Sequence, residues 1–316
     1  MGSFRNRHAR VLAATDIPLG GLGLITYSGL YYAEIRIGTP PQRYFVQVDT
    51  GSAIFWINCV YCYQCPRESD LGFNLTLYDP KESSTADWVQ CKNEFCHGLY
   101  GNVLPDCTIG NPCPYKITYG DDGSTLGMFV SDLVQYNQVT GNGQTQPANT
   151  SIVFGCGYQQ GGSLNTSNGA IDGIIGFAKP NTTIVKTTPL SDNNKYHYSV
   201  NLMSIVVGGT VLELPADIFE ISETKGTIID SGTTMAYLPT IVYNEIIPVI
   251  FAKHQDIKLR DYDDYFGQCF QFNDSVDFVF PNVTFHFKDD LALNVYPYDY
   301  LLEIEGLGTV VFEVVF

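Results

Sequence analysis

The sequence predicts an all-β fold made of two lobes, and three observations support this prediction. A chain of 316 residues is too long for most single hydrophobic cores and suits two lobes of about 150 residues each. Its 30 Gly, 16 Pro, 21 Tyr and 19 Phe favour many short strands joined by turns. An apolar strand-like run followed by Asp, Thr or Ser, and Gly occurs once in each half. Two lobes of related design are therefore expected.

The composition limits the classes of partner. Hydrophobic residues make up 45% of the chain and charged residues 16%, which is typical of a globular protein rather than a disordered one. The net charge of −16 repels phosphate groups, so no nucleic-acid partner is expected. The acidity fits an ordinary soluble surface or a protein that works in acid, and composition does not separate the two. We find no run of 18 apolar residues, so no transmembrane segment is predicted in this chain, and a monomer is expected.

Composition shifts along the chain predict four segments. Residues 1–23 are predicted to be a propeptide-like tail, and residues 24–178 an N-terminal lobe with a cysteine-rich insertion at 59–113. The polar, proline-containing stretch 179–195 is the predicted linker, and residues 196–316 form the predicted C-terminal lobe.

In the N-terminal lobe, strands are predicted at 32–37, 44–48 and 53–57. Residues 116–133 return to a β pattern, and 119–124 are predicted to form a hairpin tip. Residues 157–169 are predicted to be a loose polar loop.

In the C-terminal lobe, residues 198–214 alternate around Gly208-Gly209, which predicts a hairpin with a two-residue turn. A helix is expected over 240–254, with Thr240 as its N-cap residue and Pro248 as a kink or break. Alternating apolar residues at 283–287 predict a strand.

The cysteines indicate a disulfide framework in an oxidising compartment. Nine are present, and all but Cys269 precede residue 160. The eight disulfide candidates are Cys59, Cys62, Cys65, Cys91, Cys96, Cys107, Cys113 and Cys156. Eight cysteines allow 105 pairings, so the sequence assigns no bridge. Zinc ligation by Cys59, Cys62 and Cys65 is the weaker alternative, because no second ligand pair follows at a suitable distance.

Glycosylation motifs also point to the secretory pathway. Six Asn-x-Ser/Thr motifs are candidate N-glycosylation sites: Asn74, Asn149, Asn165, Asn181, Asn273 and Asn282. The first twenty residues contain no apolar signal-peptide core, so a signal peptide is expected to be missing from this chain. An extracellular or vacuolar location is predicted.

The motif that occurs once in each half supplies the candidate catalytic residues. Asp49 and Asp230 each follow an apolar strand, and each is followed by a hydroxyl residue, Gly and another hydroxyl residue. The supporting residues are Thr50, Gly51, Ser52, Ser231, Gly232 and Thr233. Gly permits a tight turn and brings its N–H near the carboxylate, while the hydroxyls can hydrogen-bond the carboxylate oxygens.

Two facing loops of this kind would bring two carboxyl groups together. The two groups could not easily be ionised at the same time, so the pKa of one would rise and the pair would share a proton. One group could then activate water as a base while the other protonates an amide oxygen as an acid. This chemistry needs no metal and no cofactor, and none is predicted.

With these motifs, the chain resembles the pepsin-like aspartic protease family, and most closely its cysteine-rich plant members, from about residue 24 to residue 299. The resemblance implies a bilobal acid-protease fold that binds a peptide or protein substrate between its lobes, cleavage next to apolar residues, and activity in acid. It also implies that Asp49 and Asp230 are catalytic. By the same resemblance, Tyr119 and Gly120 belong to a substrate-binding flap, and Trp56 hydrogen-bonds the flap tyrosine.

The match weakens in the second half, which predicts an incomplete C-terminal lobe with exposed apolar surface. The stretch 177–196 is short, Cys269 is the lone cysteine of its half, and no second apolar-apolar-Gly segment follows Asp230. In the first half that segment is 172–176. The alternative function is a catalytically weak or inactive peptide-binding protein, such as a truncated or splice form, that retains the cleft.

Overall fold

The computed structural model describes residues 14–21, 29–72, 74–100, 107, 110–140, 144–178, 197–215, 217–221, 226–261, 268–304 and 311–314. The fold is all-β with few helices, as predicted. The chain forms two compact units, the first mainly Leu30–Phe177 and the second mainly Thr187–Phe316. The predicted linker at 179–195 and most of the predicted tail at 1–23 lie outside the described residues.

The described residues of the first unit form ten strands, one short α-helix and one 3-10 turn. In chain order they are β1 Ala14–Asp16, β2 Leu19–Gly20, β3 Tyr32–Ile37, β4 Gln42–Asp49, β5 Trp56–Tyr63, β6 Asp87–Trp88, α1 Glu94–Tyr100, β7 Pro114–Thr118, β8 Ser124–Val139, β9 Thr145–Gly161, η1 Gly162–Asn165 and β10 Gly173–Gly176.

One sheet joins all ten strands, with the main order β1-β8-β9-β5-β10-β4-β3-β2, and β6 and β7 also pair with β8. The long hairpin of β8 and β9 dominates it, with Ser124 opposite Gly161 at one end and Val139 opposite Thr145 at the other. Because β9 runs to Gly161 and continues into η1, the prediction of a loose loop over 157–169 was wrong for its first half.

Two apolar clusters form the core of this unit. The first lies on β3 and β4 and includes Ile35 and Val46. The second surrounds Trp56 and Phe129, and the half-buried Tyr119 packs against it. The stapled helix α1 contributes the buried Cys96 to this second cluster, so the cysteine-rich insertion is part of the core.

In the second unit, the described ranges form ten shorter strands, two α-helices and two 3-10 turns. In chain order they are β11 Ser199–Val200, β12 Leu202–Val207, β13 Thr210–Val211, β14 Thr227–Ile228, α2 Thr240–Ile250, β15 Arg260–Asp261, β16 Gln268–Gln271, η2 Val276–Phe278, β17 Val283–Phe287, η3 Lys288–Asp290, β18 Ala292–Val295, α3 Pro297–Tyr300, β19 Leu301–Ile304 and β20 Val311–Val314.

These strands form small sheets: β13-β12-β17-β18, β15-β16-β20-β19 and the two-stranded pair β11-β14. The predicted hairpin is confirmed, with Val207 opposite Thr210 and positive φ angles of 55° and 88° at Gly208 and Gly209. The predicted strand at 283–287 is also confirmed as β17.

Helix α2 corrects the predicted helix in two respects. Pro239, not Thr240, is the N-cap residue, and Thr240 begins the helix. The helix ends at Ile250, two residues after Pro248, rather than at 254. Pro248 lacks a backbone N–H and crowds the preceding turn, so a helix that contains it does not extend far beyond it. The buried face includes Val242 and Ile246, which are four residues apart and so lie on one side of the helix.

Candidate active site

The first aspartate loop follows β4 directly, since Asp49 is the last residue of that strand. The backbone N–H of Gly51 donates to Asp49 Oδ1 at 2.8 Å, and the Ser52 hydroxyl donates to Asp49 Oδ2. Asp49 is only 5% exposed. Both carboxylate oxygens therefore have fixed donors within the loop, which orients the carboxylate.

Strand β10 supports this loop from behind. It pairs in parallel with β4, placing Gly173 opposite Val46 and Gly176 opposite Asp49. The N–H of Phe177 donates to the Asp49 carbonyl oxygen at 2.6 Å. A Cβ atom on Gly176 would lie 2.6 Å from the carbonyl oxygen of Ser52, so only glycine allows this close approach.

The two aromatic residues predicted to act together are in contact. Trp56 Nε1 donates to the Tyr119 hydroxyl at 2.7 Å. Burial raises the pKa of Tyr119, and the charge of Asp49 contributes to this shift. The hydroxyl also interacts with Ser52, which itself bonds Asp49. Tyr119 therefore stays a neutral hydroxyl and belongs to the same hydrogen-bonded group as the first aspartate.

Tyr119 and Gly120 lie in the turn that joins β7 to β8. The N–H of Tyr119 donates to the Gly123 carbonyl at 2.7 Å, which closes the turn. Asp122 adopts a positive φ of 63°, and Gly120 is exposed. The hairpin tip predicted at 119–124 is thus confirmed, with Thr118 opposite Ser124 at its base.

The second aspartate loop follows β14 and has the same internal bonds. The N–H of Gly232 donates to Asp230 Oδ1 at 2.8 Å, and Thr233 Oγ1 donates to Asp230 Oδ2 at 2.7 Å. The half-buried Ser231 lies between Asp230 and Gly232 in the chain, and the half-buried Thr50 has the equivalent position in the first loop. The similar sequences of the two loops therefore give the two carboxylates the same pattern of hydrogen-bond donors.

The surroundings of this second loop are more open. Strand β14 has two residues and pairs with β11, and the Ile229 N–H donates to the Tyr198 carbonyl at 2.9 Å. Ile228 is 41% exposed and Ile229 is 51% exposed. Among the residues that the structure describes, the strand that leads to Asp230 is therefore more exposed than β4, whose Val46 is fully buried.

All eight disulfide candidates are paired, which removes zinc ligation as an alternative. The bridges are Cys59–Cys156, Cys62–Cys65, Cys91–Cys107 and Cys96–Cys113. Cys269 is buried in the second unit. In the part of the chain that the structure describes, no group of three or more His, Cys, Asp or Glu side chains is placed to hold a metal ion.

Five of the six glycosylation candidates have exposed positions: Asn74, Asn149, Asn165, Asn273 and Asn282. Asn181 lies outside the described residues. No helix among the described ranges has the length and apolar character needed to cross a membrane.

Asp172 is a supporting residue whose position the sequence analysis did not recognise. It is 1% exposed and precedes β10. Its two oxygens accept hydrogen bonds from the N–H groups of Phe45 at 2.8 Å and Thr76 at 2.6 Å. Burial raises its pKa to about 6, although both hydrogen bonds act in the opposite direction. Its place next to the Gly-Ile-Ile-Gly segment was the available signal.

Both halves of the chain match known protein families. Residues 31–208 match the family described as xylanase inhibitor N-terminal, and residues 197–312 match xylanase inhibitor C-terminal. The chain is 41% identical to Aspartic proteinase 36 of Arabidopsis thaliana, over 94% of this chain and 68% of that protein. It is 39% identical to Aspartic proteinase 39 of the same plant, over 95% of this chain and 69% of the relative.

A solved structure, the crystal structure of edgp, has a similar fold. It superimposes with a TM-score of 0.64 over 94% of this chain and 84% of that chain, at 15% identity. At that identity the likeness concerns the fold alone. The plant relatives and the four disulfides are consistent with a protein of the secretory pathway.

Proposed function

This chain belongs to the pepsin-like aspartic protease family of plants, and we propose that Asp49 and Asp230 form the catalytic pair of an aspartic-type endopeptidase. One observation carries the proposal. In each loop a glycine N–H donates to one carboxylate oxygen and a Ser or Thr hydroxyl donates to the other. An aspartate in an ordinary turn can form such bonds once. The same two bonds around an aspartate in both units indicate a shared role.

In the proposed pair, the two carboxyl groups share one proton because adjacent negative charges repel. The ionised group takes a proton from water, whose oxygen attacks the carbonyl carbon of the peptide bond. The protonated group donates its proton to the carbonyl oxygen. The C–N bond of the tetrahedral intermediate then breaks. The leaving nitrogen takes a proton from the protonated carboxyl group, and a hydroxyl group of the intermediate gives its proton to the ionised carboxylate.

The loop bonds suit this chemistry because they hold both carboxylates before substrate arrives. Thr50 and Ser231 lie between the aspartates and the glycines and complete the two supporting loops. We assign Tyr119 and Gly120 to a flap that closes over the peptide, with Trp56 holding the tyrosine hydroxyl at 2.7 Å. Closure of such a hairpin excludes water from the reacting groups.

The substrate in this proposal is a peptide or protein with apolar residues beside the cleaved bond. The acidic chain, at −16, suits a monomer that works in acid and binds no nucleic acid. The proposed location is extracellular or vacuolar. The proposed lobes are 24–178 and 196–316, joined by a linker at 179–195.

The test is cleavage of an apolar fluorogenic peptide at acid pH, with and without a statine-type inhibitor. We expect cleavage that the inhibitor abolishes, and loss of cleavage in Asp49→Asn. A matched control is Asp87→Asn, which changes an exposed carboxylate on β6, outside both aspartate loops and the 119–124 hairpin. Absence of inhibitor-sensitive cleavage, while a longer family member cleaves the same peptide, would overturn the proposal for this chain.

The alternative function is capture of a peptide without cleavage. The exposure of Ile228 and Ile229 favours it, because a poorly covered strand holds Asp230 less firmly than β4 holds Asp49. Calorimetry with the same peptide separates the two functions. Binding without turnover supports capture, whereas turnover sensitive to the inhibitor supports the endopeptidase.

A further inference from the structure

One glycosylation motif lies beside the tip of the hairpin assigned as the flap. Asn165 is exposed and ends the 3-10 turn η1, which follows β9. Asn165-Thr166-Ser167 is a complete acceptor motif. By contrast, Asn273 and Asn282 belong to the second unit, and Asn149 lies near the opposite end of β9.

Turn η1 is joined to the flap tip by direct contacts. The Ser163 hydroxyl donates to Asp121 Oδ2 at 2.7 Å, while Asp121 Oδ1 accepts from the Gly123 N–H at 3.0 Å. A Cβ atom on Gly123 would lie 2.7 Å from Ser163 Oγ and 3.2 Å from Leu164. Turn η1 therefore contacts the flap tip through Ser163, which is two residues before Asn165.

We propose that Asn165 is N-glycosylated and that its glycan limits access to the flap according to substrate size. This inference rests on the proposed endopeptidase function. An N-linked glycan is bulky and hydrophilic and projects from the surface. On Asn165 it occupies the solvent beside the residues that must move when the flap opens.

The effect depends on substrate size because the two kinds of substrate need different space. A short peptide reaches the flap as a single extended chain and passes the glycan with little hindrance. A folded protein brings its surface up to the flap tip and meets the glycan on approach. The glycan therefore lowers kcat/KM for protein substrates while that for short peptides stays unchanged.

The chain contains a matched control motif. Asn149-Thr150-Ser151 has the same three residues and is exposed, but Asn149 lies near the start of β9, opposite Gln135. The flap tip joins the other end of the same ladder, where Ser124 lies opposite Gly161. A glycan on Asn149 tests for general effects of glycosylation on folding and solubility.

The experiment expresses the chain behind a plant secretory signal peptide, so that it passes through the glycosylating compartment of a plant host. Mass spectrometry first measures glycan occupancy at Asn165. Then kcat/KM is measured for a short fluorogenic peptide and for a folded protein substrate. We compare the unaltered chain with Asn165→Gln, Ser167→Ala and Asn149→Gln, and with Ser167→Thr, which keeps the acceptor motif.

We expect Asn165 to be occupied and both variants that remove its motif to raise the protein-to-peptide ratio of kcat/KM roughly threefold or more. Asn149→Gln and Ser167→Thr should leave the ratio unchanged. An unoccupied Asn165, or an unchanged ratio in Asn165→Gln, would overturn the inference while leaving the proposed function intact.

A binding measurement makes the test independent of turnover. In the Asp49→Asn background, Kd values for the protein and the peptide are compared with and without the Asn165 glycan. A glycan that weakens protein binding alone supports the inference even if the chain cleaves nothing. Equal effects on both ligands contradict it.

Discussion

The two aspartate loops have nearly the same hydrogen bonds but unlike surroundings. Asp49 ends an eight-residue strand with β3 on one side and β10 on the other. Asp230 follows a two-residue strand whose partner is β11, and the two residues before it are about half exposed. Local sequence thus sets the shape of each loop, whereas the surrounding sheet sets how firmly it is held.

The largest expected effect tests whether this difference in support matters for chemistry. Asp49→Asn and Asp230→Asn should each lower kcat by about 10³-fold or more, because each removes one member of a pair that acts as a unit. Peptide cleavage at acid pH measures the loss, and circular dichroism checks the fold. A much smaller loss for Asp230→Asn would show that the less supported loop has left the reaction.

Much of this comparison could be predicted from the sequence. The two Asp-hydroxyl-Gly motifs identified both loops because glycine and hydroxyl residues have few other reasons to recur after apolar strands. Gly208-Gly209 identified its hairpin because two consecutive positive φ angles nearly require glycine. These are short-range effects, and they depend on neighbours in the chain.

Long-range pairings could not be predicted in the same way. The bridge between Cys59 and Cys156 joins residues 97 apart, and nothing local to either cysteine specifies the partner. Asp172 is as hidden from sequence reasoning, because its partners Phe45 and Thr76 come from distant strands and loops. The poor cover of Ile228 likewise depends on which strands reach β14.

The support of the first loop can be broken at Gly176. A Cβ atom there would lie 2.6 Å from the Ser52 carbonyl and 2.7 Å from the Ile54 nitrogen, both backbone atoms that cannot easily move. Gly176→Ala should lower the free energy of unfolding of the first unit by roughly 1–3 kcal/mol. Urea denaturation followed by tryptophan fluorescence measures it.

Gly120→Ala is the control for that substitution. Nothing lies within 4 Å of a Cβ atom at Gly120, so its unfolding free energy should match the unaltered chain. Equal destabilisation by both substitutions would mean that the close approach of β10 is not what supports the loop.

The pH dependence of the first unit gives a further test of this support. Because burial raises the pKa of Asp172 from 3.8 to about 6, the folded state binds its proton more tightly than the unfolded state. This contribution is fully present below about pH 4 and is lost as pH rises through about 6. It amounts to a few kcal/mol at most.

The measurement is the urea midpoint of the first unit between pH 4 and pH 7. Asp172→Asn should lower stability at pH 4, since its amide N–H₂ cannot accept the second backbone hydrogen bond. It should also flatten the fall in stability toward neutral pH. An unchanged slope in the variant would assign the pH dependence to other groups.

The smallest effect compares the strands before the two aspartates. Val46 is fully buried, so Val46→Ala should lower unfolding free energy by roughly 1–3 kcal/mol. Ile229 is 51% exposed, so Ile229→Ala should change it by less than about 0.5 kcal/mol. Denaturation of the two variants side by side measures both. A large loss from Ile229→Ala would show that β14 is better covered in solution.

The central claim is that Asp49 and Asp230 act as one catalytic pair despite their unequal support. The most direct test measures kcat for the two single Asn variants and for the double variant on one apolar peptide. If the aspartates act as a unit, the double variant retains the same residual activity as either single variant. Losses that multiply in the double variant, or a single variant that retains near-normal activity, would contradict the claim.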